Sequence, residues 1–303
     1  SNAGETYVVF GQASGWSAAI DLSTLNGTNG FRLLGIDPDD LSGFSVASAG
    51  DVNGDGFADL IVGAYQADPG GDGNAGETYV VFGAASGWTA TLDLSTLNGA
   101  NGFRLDGIDS GDLSGFSVAG AGDVNGDGFA DVIIGARDAD PGGSSNAGET
   151  YVVFGAASGW TAALDLSTLN GANGFRLDGI NAGDRAGFSV ASAGDVNGDG
   201  FADIVIGADI VTVGGDNFAG ETYVVFGRAS GWAASLNLST LNGANGFRLA
   251  GIDRFDQSGY SVANAGEVNG DGFTDLIVGA PFAAPNGDFN AGETYVVFGA
   301  ASG

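Results

Sequence analysis

Residues 51–59 read DVNGDGFAD, placing oxygen-bearing side chains at positions 1, 3, 5 and 9 of a short stretch. Residues 123–131 and 195–203 repeat the string, and residues 267–275 read EVNGDGFTD. Such alternation, joined by the backbone carbonyl at position 7, is the oxygen-only donor set that suits a hard cation such as Ca²⁺. The candidate ligands are therefore Asp51, Asn53, Asp55, Phe57 (through its carbonyl) and Asp59 in the first loop. In the second they are Asp123, Asn125, Asp127, Phe129 and Asp131, and in the third Asp195, Asn197, Asp199, Phe201 and Asp203. Glu267, Asn269, Asp271, Phe273 and Asp275 form the fourth. An EF-hand would need a carboxylate at position 12, where Val62 stands, and flanking helices instead of strands. A plain solvated acidic turn is the alternative reading. Against it, three carboxylates brought together in one hairpin repel one another unless neutralised. About four Ca²⁺ ions are expected.

The rest of the composition limits the chemistry. The chain has 37 acidic residues against 8 basic ones, a net charge of −29. All basic residues are arginines, and lysine, histidine, cysteine and methionine do not occur. Nucleic acid is not an expected partner, because phosphate binding needs clustered positive charge. Without His, Cys or Lys there is no His-assisted or thiol nucleophile, no Schiff base and no ordinary zinc site. A carboxylate pair for glycoside hydrolysis is chemically conceivable, but no pair breaks the repeat. The chain is therefore read as no enzyme. Insertion into a membrane is not expected either, since no apolar run reaches the roughly 18 residues a spanning helix needs. Ser1-Asn2-Ala3 has the look of a cleaved tag, which leaves a native targeting segment upstream unseen; Asn2-Ala3 also continues the repeat.

These loops are positioned by a strict repeat. The string AGETYVVFG begins at Ala3, Ala75, Ala147, Ala219 and Ala291, 72 residues apart each time. SGW recurs at Trp16, Trp88, Trp160 and Trp232, and GFRL at Arg32, Arg104, Arg176 and Arg248. Fifty-eight glycines beside a 44% hydrophobic content describe turns around a packed core, not disorder. Four strands are predicted per period, over residues 44–50, 59–64, 77–83 and 102–108. Each is β-rich or alternating and is bounded by glycine turns. Helical spacing is absent, apart from the turn around residues 92–97.

Four short strands repeated in tandem are the signature of propeller blades. The expected fold is one all-β propeller of antiparallel blades spanning residues 1–303. Blades cover residues 44–115, 116–187, 188–259 and 260–303, and residues 1–43 hold strands that complete the last blade through residues 31–36. The expectation is a closed four-blade ring and a monomer. If the ring does not close, an arc completed by another chain, and hence a dimer, takes its place.

At this point the sequence resembles the FG-GAP repeats of integrin α-subunits and of bacterial surface and secreted proteins. Phe82-Gly83 and its copies carry the first half of that motif, and Gly279-Ala280-Pro281 the second; Tyr65, Arg137 and Asp209 replace the proline elsewhere. The resemblance implies a propeller with Ca²⁺ on one face and ligands on the other. Integrin propellers have seven blades, and this chain supplies four.

Other recurring residues are weighed the same way. The tryptophans could stack on sugars but are read as packing. The GFRL arginines could hold an anion but are read as partners of nearby carboxylates. Asp40, Asp112, Asp184 and Asp256 are read as turn caps or supporting groups. In an antiparallel blade successive turns alternate between ends, so the metal loop and the SGW turn share one face. The other two turns, where the copies diverge, share the opposite face. Tyr65, Arg137, Arg185, Ile210, Arg254, Phe255 and Phe282 are the candidate ligand contacts there. The function expected is an extracellular, secreted or cell-surface adhesion module for a protein or glycan. The alternatives are a structural spacer of a giant surface protein and an accessory propeller of a secreted hydrolase or lyase.

Overall fold

The computed structural model describes residues 3–301; Ser1 and Asn2, two of the three residues of the tag-like stretch, lie outside the described residues. No α-helix occurs among the described residues, and twenty strands do. The N-terminal pair is β1 (Glu5–Val9) and β2 (Gly30–Leu34). The first full blade is β3 (Ser45–Gly50), β4 (Asp59–Ala64), β5 (Glu77–Val81) and β7 (Gly102–Asp106), with β6 (Thr91–Asp93) in its long connection. The second repeats this as β8 (Ser117–Gly122), β9 (Asp131–Ala136), β10 (Glu149–Val153), β11 (Ala163–Asp165) and β12 (Gly174–Asp178). The third is β13 (Ser189–Gly194), β14 (Asp203–Ala208), β15 (Glu221–Val225), β16 (Ser235–Asn237) and β17 (Gly246–Ala250). The fourth holds β18 (Ser261–Gly266), β19 (Asp275–Ala280) and β20 (Glu293–Val297).

Within a blade the order is antiparallel and sequential, β3-β4-β5-β7 and its copies. A register slip between Ser48 and Gly50 puts a bulge in the inner strand just before the metal loop, and the same slip recurs in β8, β13 and β18. Central strands β5, β10 and β15 (ETYVV) are buried at every position, which requires both faces of the sheet to be covered. Neighbouring blades cover them. One core joins Ile61, Val80 and Phe103 of the first blade to Ile134, Tyr151 and Leu166 of the second. Each such fully buried side chain contributes about 1.5–3 kcal/mol relative to exposure.

The long connection has a role that its sequence did not announce. β6 pairs in parallel with β2, β11 with β7, and β16 with β12, so each connection adds a strand to the outer edge of the blade before it. A single 3₁₀ turn follows each time, Leu94–Thr96 in the first case, capped by the Asp93 carboxylate accepting from Ser95 N at 2.9 Å. That turn accounts for the faint helical spacing over residues 92–97.

Ring closure through residues 31–36 is not what the chain forms here. Residues 30–34 lie between β1 and β6, and β20 carries no strand on its outer side among the described residues. Inner strands pack in series, β3 on β8, β8 on β13 and β13 on β18. Phe44 and Val46 of the first blade stay exposed. The blades thus form an open arc, since β3 has no packing against β18 of the kind that joins the other inner strands.

Candidate functional site

The hairpin between β3 and β4 curls because its polar side chains accept from its own backbone. The Asp51 carboxylate accepts from Asp55 N at 3.0 Å and Gly56 N at 2.9 Å. Asn53 Oδ1 accepts from Asp55 N, and Asp55 Oδ1 from Phe57 N, both at 2.9 Å. Asp59 stands apart from these. It is fully buried, and its two oxygens accept from Val52 N at 2.8 Å and Gly83 N at 2.7 Å. It therefore ties the metal loop to the start of the SGW connection.

Asp131, Asp203 and Asp275 repeat both of these bonds. Burial, with the neighbouring Asp55 and Asp51 charges, pushes the Asp59 carboxyl up to about 6. Asp131 and Asp203 reach about 7 for the same reasons. Glu267 makes the bonds of its aspartate counterparts in spite of its extra methylene, accepting from Gly270 N at 2.6 Å.

As the side chains lie, no group of three or more His, Cys, Asp or Glu among the described residues is gathered closely enough to hold an ion. The donor chemistry nonetheless fits a hard cation. Each loop offers oxygen only, two acidic positions that solvent reaches on either side of an amide, and a third carboxylate that is fully buried. Asp51, Asn53, Asp55, the Phe57 carbonyl and Asp59 would hold the ion in the first loop, with their counterparts in the other three. Bound Ca²⁺ would supply charge neutralisation and a rigid cross-link between β3 and β4, and no reaction.

The SGW turns lie on the same face as these loops. Ala130 N donates to Asp51 O at 3.0 Å and Ala156 N to Val52 O at 2.9 Å, so the second blade's loop and connection both grip the first blade's loop. Three of the four tryptophans are packing groups. Trp88 stacks on Phe31 at 4.2 Å, and Trp160 on Phe103 and Trp232 on Phe175 at 4.1 Å, all within 9° of parallel. Each tryptophan so placed seals the outer edge of the preceding blade. The GFRL arginines are paired as expected, Arg104 with Glu77 at 3.2 Å and Arg176 with Glu149 at 3.3 Å. Glu77 also accepts from the buried Tyr79 hydroxyl. Asp40 and Asp256 cap turns through Asp37 N and Asp253 N, each at 3.2 Å, and Asp184 does so through Asn181 N at 3.1 Å.

The two variable sets of turns meet on the opposite face, where Leu113 N donates to Asn74 O and Ser114 N to Ala75 O. The candidate contacts fall into two groups there. Tyr65 lies against Phe44 (4.7 Å) and Phe116 (5.5 Å), and the Arg137 guanidinium sits 3.8 Å over Phe116. Phe188, Tyr260 and Phe282 continue that row, with Tyr260 and Phe282 exposed. Arg185 leans away from the rings to pair with Asp138 at 3.3 Å, and Ile210 is half-buried.

Arg254, Phe255 and Phe218 make a separate exposed cluster, with Arg254 4.5 Å over Phe255. The row's main rings, Phe44, Phe116, Phe188 and Tyr260, were not among the expected site residues. Their signal was present, an aromatic before every SVA at the 72-residue spacing. Asp209 was missed as well; it is buried beside Arg137 and Arg185, and burial raises its carboxyl to about 6.

Comparison with known proteins matches the FG-GAP repeat family four times, over residues 42–81, 114–153, 186–225 and 258–297. Integrin alpha-V of Gallus gallus is 31% identical over 251 residues, 80% of this chain and 20% of that protein. Integrin alpha pat-2 of Caenorhabditis elegans is 32% identical over 196 residues, 63% of this chain and 14% of that protein. Phosphatidylinositol-glycan-specific phospholipase D of Bos taurus is 31% identical over 165 residues, 54% of this chain and 18% of that protein. The chain spans at most about a fifth of these relatives' length.

Proposed function

This chain belongs to the FG-GAP repeat family, and from that premise we propose that it is a calcium-stabilised adhesion module that holds a protein or glycan ligand. One observation carries the reading. Near-identical metal loops and packed tryptophans occupy one face, while sequence variation and exposed aromatic and arginine side chains gather on the other. A shared scaffold with individual contacts produces that division, since rigid strands carry loops free to vary. Aromatics and arginine are also typical anchors of an interface. The module works by binding; without lysine, histidine or cysteine it has no His-assisted or thiol nucleophile and no Schiff-base amine. The phospholipase relative's name describes that protein, of which this chain matches a small part. A secreted or cell-surface setting agrees with oxygen-only loops suited to Ca²⁺.

A spacer within a longer repetitive protein is the second reading, favoured by the near-identity of the repeats and by the apolar side chains exposed at both ends of the arc.

A glycan array and a panel of purified matrix glycoproteins, probed with the calcium-loaded chain, test the proposal. A binder is expected whose signal falls at least tenfold on Arg254→Ala or Phe282→Ala with the melting temperature unchanged. Loss of binding only on Trp160→Ala, in a protein that stays folded, would place the ligand on the calcium face. No binder at all would leave the spacer reading.

A further inference from the structure

Two arginines break the repeat at one seam, where the scaffold itself asks for no charge. Arg137 stands where the other copies carry Tyr65, Asp209 and Pro281, and Arg185 where they carry Leu41, Leu113 and Gln257. Both belong to the junction of the second and third blades, so the first and fourth blades flank the place on either side. Asp138 joins the two arginines, its Oδ1 lying 3.3 Å from Arg185 Nε and 3.8 Å from Arg137 Nε. Asp209, just past the end of β14, completes the group as a carboxylate that feels the charges of Arg185 and Arg137.

The bonding of this group is unfinished. Asp209 is only 3% exposed, and its Oδ1 has no hydrogen-bond partner among the described residues. Arg137 Nε and Asp138 Oδ1 are likewise buried without a hydrogen bond. Burying a carboxylate in that state is costly unless opposite charge stands beside it, and here two guanidinium groups do. Those guanidinium groups keep one end free. No hydrogen bond leaves the Nη nitrogens of Arg137 or Arg185 among the described residues, and the side chains are 21% and 35% exposed. The GFRL arginines differ, since Arg104 and Arg176 each face a glutamate and an aspartate.

Apolar ring faces stand beside the free ends. The Arg137 guanidinium lies 3.8 Å over Phe116 and 5.5 Å from the centre of Phe188, and both rings are half-buried. Tyr65 touches Phe116 from the first blade at 5.5 Å. A guanidinium fork held on a ring is pre-organised for a carboxylate, which it meets with two parallel hydrogen bonds. The rings suit the C–H face of a pyranose, an apolar surface that a carboxylate side chain on a peptide does not bring. A densely charged polyanion is disfavoured by the net charge of −29. A single carboxylate on an otherwise neutral ring is the ligand chemistry that meets all three conditions.

We propose that Arg137 and Arg185 form a carboxylate subsite for an acidic sugar, a glycan unit of the hexuronate type. The proposal rests on the reading of this face as the ligand face, and it names the chemistry that the ligand carries. The two guanidinium groups take the carboxylate, and Phe116 and Phe188 take the sugar's apolar face. Asp138 and Asp209 are positioning residues, which hold the Nε edges and the charge of the arginines in place from the buried side.

Titration calorimetry in saturating Ca²⁺ tests this with three probes: a hyaluronan tetrasaccharide, the same tetrasaccharide with its carboxyl groups reduced to alcohols, and a blocked tetrapeptide carrying two aspartates. The acidic tetrasaccharide is expected to bind, and the reduced one to bind about tenfold more weakly or worse. Arg137→Tyr and Arg185→Leu each install a residue that another copy carries at the same position, so the fold should keep its melting temperature. Each should weaken the acidic tetrasaccharide by about tenfold or more. Arg185→Gln, after Gln257, replaces either variant that loses its melting transition. Binding that survives both substitutions puts the carboxylate elsewhere, the calcium loops included, and overturns the proposal while the adhesion reading stands. A peptide that binds more tightly than the tetrasaccharide overturns it in favour of an acidic protein segment. A tetrasaccharide that does not bind overturns it too, and the array probed with Arg254→Ala and Phe282→Ala then judges the wider reading by itself.

Discussion

The ring of Phe129 lies directly over Gly54, so that a Cβ added to Gly54 would stand 2.4 Å from Phe129 Cε1. Phe201 roofs Gly126 and Phe273 roofs Gly198 in the same way. Position 7 of each metal loop thus covers position 4 of the loop before it, and the loops are coupled across the seams. In the last loop Gly270 has nothing within 4 Å. Both Gly54 (φ 73°) and Gly270 (φ 82°) are in the left-handed region. Gly270→Ala should therefore cost only the backbone strain, about 1–2 kcal/mol. Gly54→Ala should cost more, because the Phe129 ring must also move. Thermal unfolding in saturating Ca²⁺ measures the difference, and equal losses would show that the roofing contact contributes nothing.

Trp160 stacks on Phe103 at 4.1 Å and Trp16 on nothing among the described residues. Trp160→Ala should destabilise by about 3 kcal/mol or more, in the range of buried aromatic truncations. Trp16→Ala should leave the unfolding free energy, read by urea titration of dilute protein, within about 0.5 kcal/mol of the parent, as expected for a surface change. Equal effects from the two variants would mean that the stack is not what holds the seam.

Much of this was legible before any coordinates. The 72-residue period showed the four long strands of each blade, the face shared by the metal loops and SGW turns, and that the GFRL arginines pair with nearby carboxylates. Each is a local consequence of strand alternation and charge. What escaped was set by packing between blades. Thr91–Asp93 is three residues long and reads as loop, since its strand pairing depends on an outer edge in another blade. Phe44, Phe116 and Phe188 read as strand beginnings, and their meeting in one row depends on how inner strands converge. The open arc was one of two outcomes left standing beside the closed ring, because how blades pack on one another is decided across the seams, where Ile61 and Ile134 share a core, and not within one repeat.

Asp112 gives a pH dependence with a definite sign. Burial, then the charges of Glu149 and Asp109, push its carboxyl up to about 7. The folded state therefore binds this proton more tightly than the unfolded chain, whose value is near 4. Its contribution to stability is full below about pH 4 and is lost as pH rises through about 7. With Ca²⁺ held saturating, Asp112→Asn should raise the melting temperature more at pH 8 than at pH 5. A shift that is the same at both values would show that this carboxyl is not the origin of the loss.

Glu267 fills position 1 of the fourth loop with one methylene more than Asp51, Asp123 and Asp195. Its loop should bind Ca²⁺ most weakly of the four, and Glu267→Asp should bring that site into line with the others. Titration calorimetry of parent and variant resolves this as the disappearance of the weakest phase. A variant isotherm that matches the parent's would show that the longer side chain is accommodated without loss.

The central claim is that the four loops hold calcium and that calcium holds the fold, and differential scanning calorimetry with and without a chelator tests it most directly. Ligand at a hundred times its dissociation constant stabilises by about 2.7 kcal/mol per site, so four occupied loops would add an amount comparable to a whole domain's stability of about 5–15 kcal/mol. The predicted result is a melting temperature that falls by tens of degrees on chelation and is restored by Ca²⁺ but not by an equal ionic strength of Na⁺. An unchanged melting temperature in excess chelator would contradict it.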